Sequence, residues 1–95
     1  MSAELNAKWK VTPDVRVRIN QDGGVLLDLR RGIFFGLNVT GCKIWEILNG
    51  RAAGARLQDI VQALELEPGS GAKEAETDVV DFVSELERQG LVQRA

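Results

Sequence analysis

Val15-Arg16-Val17-Arg18-Ile19 alternates strictly, with three β-branched residues on one face and two arginines on the other. That is the pattern of a half-buried strand. Asn20-Gln21-Asp22-Gly23-Gly24 follows, dense in residues that tolerate positive φ, so the chain reverses there. A second strand, Val25 to Leu29, sends Val25, Leu27 and Leu29 one way and Leu26 and Asp28 the other. Arg30-Arg31-Gly32 supplies another tight turn into a third strand, Ile33-Phe34-Phe35-Gly36-Leu37. The expectation is a three-stranded antiparallel meander. Ile33, Phe35 and Leu37 share the parity that faces the rest of the domain. Phe34 is left on the opposite side beside Leu26, an apolar pair where solvent is expected unless Trp9 folds over it.

Beyond Leu37 the apolar period changes from two to about 3.6. Asn38 or Thr40 is suited to cap a helix carrying Gly41, Ile44, Trp45 and Leu48 at helical spacing, and Asn49-Gly50 suits a left-handed end. Leu57, Ile60, Val61 and Leu64 repeat the spacing for a second helix, although Ala55 would cap it poorly, and Pro68-Gly69-Ser70-Gly71 breaks it. A third helix runs from about Ala72 to Gln89, with Ala75, Val79, Phe82, Val83 and Leu86 as its apolar stripe. Gly90 fits the αL residue of a Schellman end, which returns Leu91 onto Leu86. The fold class expected is α+β: three antiparallel strands, then three helices. Residues 1–12 read as a flexible N-terminal arm, and residues 13–95 as one domain.

Composition narrows what such a domain does. Ninety-five residues suffice for one modest core, and 44% apolar with 27% charged residues is the balance of a globular chain. No apolar run approaches the roughly 18 residues needed to cross a bilayer, and Met1 to Lys10 has no signal-like stretch, so a cytoplasmic location is expected. The single cysteine, Cys42, agrees, since small secreted domains usually carry disulfides. Charge is uneven. Residues 1–56 hold nine Lys/Arg against five Asp/Glu, and residues 57–95 hold three against nine, a separation that would make a bipolar groove if a basic sheet edge faced an acidic helix.

Catalytic chemistry is poorly provided for. The sequence has no histidine, so Cys42 has no base to activate it, and it reads as a small buried filler. One Cys and no His rule out a structural zinc, and no GxxxxGK[ST] pattern follows the third strand. Glu74, Glu76, Asp78, Asp81, Glu85 and Glu87 read as a solvated helix face without the loops of a calcium site. No cofactor is expected. A net charge of −2 argues against a nucleic-acid partner.

A binding role fits better. The third strand is an edge of the meander, and an edge offers unpaired N–H and C=O groups that an extended peptide can complete. The apolar arc of helix three is about 160° wide, more than packing on its own core requires, which leaves a flank with Phe82, Asp78 and Glu85 beside that edge.

These residues carry a family resemblance. Gly24-Val-Leu-Leu-Asp28, Gly32-Ile-Phe-Phe-Gly-Leu37-Asn38, Gly41-Cys-Lys-Ile44-Trp45 and Asp78-Val-Val-Asp-Phe82-Val-Ser-Glu-Leu86, followed by Gly90-Leu91-Val92, closely resemble the PqqD-like family. Within it the chain looks most like the discrete recognition subunits of lasso-peptide biosynthesis. The match runs from about Val15 to Val92. The resemblance implies a winged-helix-like, non-catalytic recognition element for a ribosomal precursor peptide, whose leader adds as an antiparallel strand to the third strand and rests on the third helix. Carried over by position, the backbone from Arg31 through Gly32, Ile33, Phe34, Phe35 and Gly36 to Leu37 would pair with the leader. Asp78, Val79, Phe82, Glu85 and Leu86 would line its pocket. The partners implied are the precursor leader peptide, a separate transglutaminase-like cysteine leader protease and an ATP-dependent lasso cyclase. Two alternatives share parts of this reading: a PqqD-type peptide chaperone for a radical-SAM enzyme, and a winged-helix DNA-binding protein using Arg16, Arg18, Arg30 and Arg31.

Overall fold

The computed structural model describes residues 7–65 and 72–95, with the side chains of 72–75 excepted. Expectations placed on residues 1–6, on Pro68-Gly69-Ser70-Gly71 and on the side chains of Glu74 and Ala75 lie outside the described residues. The elements run β1 (Trp9–Val11), β2 (Val15–Asn20), β3 (Gly23–Asp28), β4 (Ile33–Leu37), α1 (Val39–Asn49), α2 (Leu57–Glu65), α3 (Ala72–Arg88) and β5 (Val92–Arg94). Strands β2, β3 and β4 form the antiparallel meander, in that order, and the three helices follow it, as the change of period implies.

Two short strands were not anticipated. Trp9–Val11, read as part of a loose arm, pairs antiparallel with Val92–Arg94, Trp9 opposite Arg94 and Val11 opposite Val92. Trp9 also exchanges backbone bonds of 2.8 Å in each direction with Ala55. Its ring is 3% exposed, with the Arg94 guanidinium carbon 5.1 Å from the ring centroid. Trp9 is therefore a core residue and does not cover Phe34. Each strand has only three residues, too few for alternation to register in a sequence.

The parity of each meander strand is as expected, but the register between them corrects one pairing. Leu26 lies opposite Phe35, so it shares the helix-facing side and is fully buried, while Leu27 is the residue opposite Phe34 on the outer face. The four-residue connection Leu29–Gly32 sets which parity meets which, and a shift of one residue exchanges the two faces.

Helix ends follow local chemistry. Asn38 caps α1, its side chain accepting from the Gly41 amide at 2.7 Å. Gly50 ends α1 in right-handed geometry, φ −81°, not the left-handed form expected. At the start of α2, Asp59 accepts from the Arg56 amide at 3.1 Å, which is what replaces a cap at Ala55. At the end of α3, Gly90 takes φ 75°, and the Gly90 and Leu91 amides donate to Glu87 and Leu86, the paired bonds of a Schellman motif. Trp45, Ile44, Leu48, Ile60, Val79, Val83, Leu86 and Leu91 fill the core between sheet and helices. Cys42 is buried there too, and that burial pushes its thiol pKa up, with Glu46 adding to the shift.

Candidate peptide-binding site

Strand β4 pairs with β3 on one side, and among the described residues no strand pairs with its other side. The ladder shows which groups that edge presents. Leu29 donates to the Asp14 carbonyl, so the β3 residues that bond β2 are Leu27 and Val25, in step with Leu29. Leu26 and Asp28 then turn their peptide groups to β4, where they meet Phe35 and Ile33. By the same alternation, the N–H and C=O groups of Phe34 and Gly36 point out from the free edge. A strand added there would exchange bonds with those two residues.

Side chains alternate in the opposite sense. Ile33, Phe35 and Leu37 face the helices, Leu37 being buried and the other two half-buried. Phe34 is 74% exposed on the outer face, near Leu27. Phe35 meets Phe82 of α3 edge to face, ring centroids 6.5 Å apart. Past that pair, between α3 and the start of α1, opens a cleft of about 320 Å³. Gly41, Ile44 and Phe82 make it apolar, while Asn38, Thr40, Asp78 and Asp81 make its remaining wall polar. Gly41 permits the close approach of α1 to Phe82, since a Cβ on it would stand 3.1 Å from the ring.

At the other end of β4 the turn is anchored. Asp28, 4% exposed, accepts from the amides of Arg30 and Arg31 at 3.0 and 3.1 Å and from Arg31 Nε at 2.6 Å. The Arg31 guanidinium holds the Asp28 carboxyl below the usual carboxylate range, against the opposing effect of burial, and the two amides add to the lowering. Arg31 also donates to the Gln89 carbonyl at the end of α3. Gly32 takes φ 70°, which completes the turn.

Of the pocket residues read from the sequence, Phe82 and Asp78 line this cleft, and Phe35 of the edge strand packs against Phe82. Val79 and Leu86 are a correction: both are fully buried, because the stripe they belong to packs into the core, and neither offers surface to a ligand. Glu85 is half-buried and turned along its own helix, pairing with Arg88 and accepting from Gln89. Arg16 and Arg18 lie on β2, the edge strand away from β4. Asn38, Thr40, Gly41, Ile44 and Asp81 also line the cleft, and the one signal for them in the sequence is a glycine inside a helical pattern, which is often kept for close packing.

The family model described as coenzyme PQQ synthesis protein D (PqqD) matches residues 23–92. No curated protein matches the chain by sequence. Among solved structures it is similar to TbiB1 in complex with the TbiA(beta) leader peptide, at 32% identity and a TM-score of 0.72, over 88% of this chain and 94% of that one. It is also similar to a lasso peptide synthetase B1 complexed with its leader peptide, at 30% identity and a TM-score of 0.70, over 92% of this chain and 99% of that one. With the family model covering well over half of its length and these relatives at 30% identity or more sharing its architecture over most of it, the chain belongs to the PqqD family.

Proposed function

We propose that this protein is a non-catalytic adaptor that binds the leader region of a ribosomal, lasso-type precursor peptide and delivers it to a separate transglutaminase-like leader protease and an ATP-dependent cyclase. The observation that carries the reading is the margin of β4 that no described strand pairs, alongside the cleft at Phe82. A leader strand pairing with Phe34 and Gly36 gains affinity from backbone bonds that any sequence can make. Its residues opposite Phe35 and Leu37 turn toward α3, where an apolar side chain fills the space beside Phe82 and Ile44. That alternation supplies the choice of sequence. About five guest residues cover the edge, since β4 spans only Ile33–Leu37. The two similar complexes support the reading, each holding a leader peptide.

The test is a fluorescence titration of the TbiA(beta) leader peptide against the full chain. Saturable binding is expected, with Phe82→Ala weakening it at least tenfold and Gln62→Ala, on the exposed side of α2, leaving it unchanged. Absence of saturable binding, or equal binding by both variants, would overturn the proposal.

A further inference from the structure

We infer that Arg31 is a positioning residue for the groove: by tying the β3–β4 turn to the C-terminal end of α3, it sets how far the free edge of β4 stands from that helix. The inference rests on the leader-binding reading. Its warrant is the geometry of one corner of the molecule. Arg31 Nε meets Asp28 Oδ2 at 2.6 Å, and another guanidinium nitrogen donates to the Gln89 carbonyl. Both acceptors are themselves fixed. Asp28 is buried and held by two turn amides. Gln89 sits where α3 closes in its Schellman end, a place where the unpaired carbonyls of a helix favour a cation. Gly90 makes room for the contact, since a Cβ on it would lie 3.1 Å from a guanidinium nitrogen. Thr12 donates to the Gly90 carbonyl at 2.7 Å and so fastens the helix end from the far side.

From this corner β4 runs antiparallel to α3 and meets it again at the Phe35–Phe82 pair. The groove is thus suspended between a polar tie and a ring contact. The ring contact is a single weak pair, whereas the guanidinium fork has a fixed plane and two fixed acceptors. Without Arg31 the edge samples a range of separations from α3, of which a fraction admits a strand, and apparent affinity falls by that fraction. Arg31 does this without its side chain being needed on the ligand, because both of its acceptors lie within the protein.

The experiment compares the full chain with Arg31→Ala, Arg31→Lys and Arg56→Ala. Arg56 makes a similar Nε contact to Asp59 at 3.4 Å, at the start of α2 and outside the groove. Two quantities are read: the dissociation constant for the TbiA(beta) leader peptide, and the NMR cross-relaxation between the Phe35 and Phe82 rings, which needs no ligand. Arg31→Ala is expected to raise the dissociation constant about tenfold and to weaken the ring signal. Arg31→Lys, which keeps the charge but reaches one acceptor, should fall between, and Arg56→Ala should change neither. If Arg31→Ala matches the parent in both quantities while Phe82→Ala loses binding, the positioning role is wrong and the adaptor reading stands. Equal losses in the Arg31 and Arg56 variants would reduce Arg31 to a general stabiliser. A parent chain that does not bind the peptide at all would sink the adaptor reading itself, and the ring signal would still decide the tie.

Discussion

Replacing Gly36 by proline separates pairing at the β4 edge from stability of the sheet. The Gly36 N–H points away from β3, so proline there removes no ladder bond, and edge strands accept proline for that reason. No atom lies within 4 Å of the Cβ position, so the new ring has room. Stability should change by less than about 1 kcal/mol, with reduced unfolded-state freedom offsetting any mismatch in φ. A leader strand, by contrast, loses its bond to the Gly36 donor, worth about 1 kcal/mol net. The ring also stands where the guest backbone must approach to about 4.8 Å, which strains the companion bond at Gly36 or Phe34. Together these cost about 2–3 kcal/mol, or roughly 30- to 150-fold in affinity. Gly36→Ala keeps the donor and should bind like the parent. Phe35→Pro is the opposite case, because the Phe35 amide is spent on Leu26, and its variant should lose the sheet before any binding is measured. The assay is leader titration by fluorescence anisotropy, with circular dichroism and a denaturation midpoint for each variant. Undiminished binding by a folded Gly36→Pro would show that the leader does not pair with β4.

Two further outcomes test the frame around the site. Trp9→Ala should cost about 3–5 kcal/mol, because the ring is 3% exposed and anchors β1 against β5 and Ala55; an unchanged urea midpoint would mean that residues 9–11 are not part of the fold. Asp28 has a lowered pKa, so its contribution is complete above about pH 4, the ordinary carboxylate value, and is lost as pH falls through the lower folded-state value. Asp28→Asn should therefore be less stable than the parent at pH 7, and the difference should close in acid. A difference independent of pH would mean that the Arg31 pairing does not stabilise the carboxylate.

The sequence was informative where one local rule governed one segment. Alternation located β2 to β4, the 3.6 period located the helices, and Gly90 marked its own Schellman end. Asn38 was one of two plausible caps, and its side chain proved to reach the Gly41 amide. The family motifs, spread over most of the chain, pointed to the β4 edge and the Phe82 flank. Less legible was anything that depended on two distant segments meeting. Leu26 was assigned to the outer face because each strand's parity is local, whereas the register between strands depends on the turn. Val79 and Leu86 were placed in the pocket lining because a helical wheel gives an arc and not the part of it that the core consumes.

What the residues by themselves determined is the succession of meander and three helices, the parity of each meander strand and the poverty of catalytic groups, since these follow from spacing and composition. Only the tertiary structure decided that Trp9 belongs to the core and that Arg31 reaches across to Gln89. Both depend on contacts between residues more than forty positions apart, and no local propensity encodes a distance of that kind.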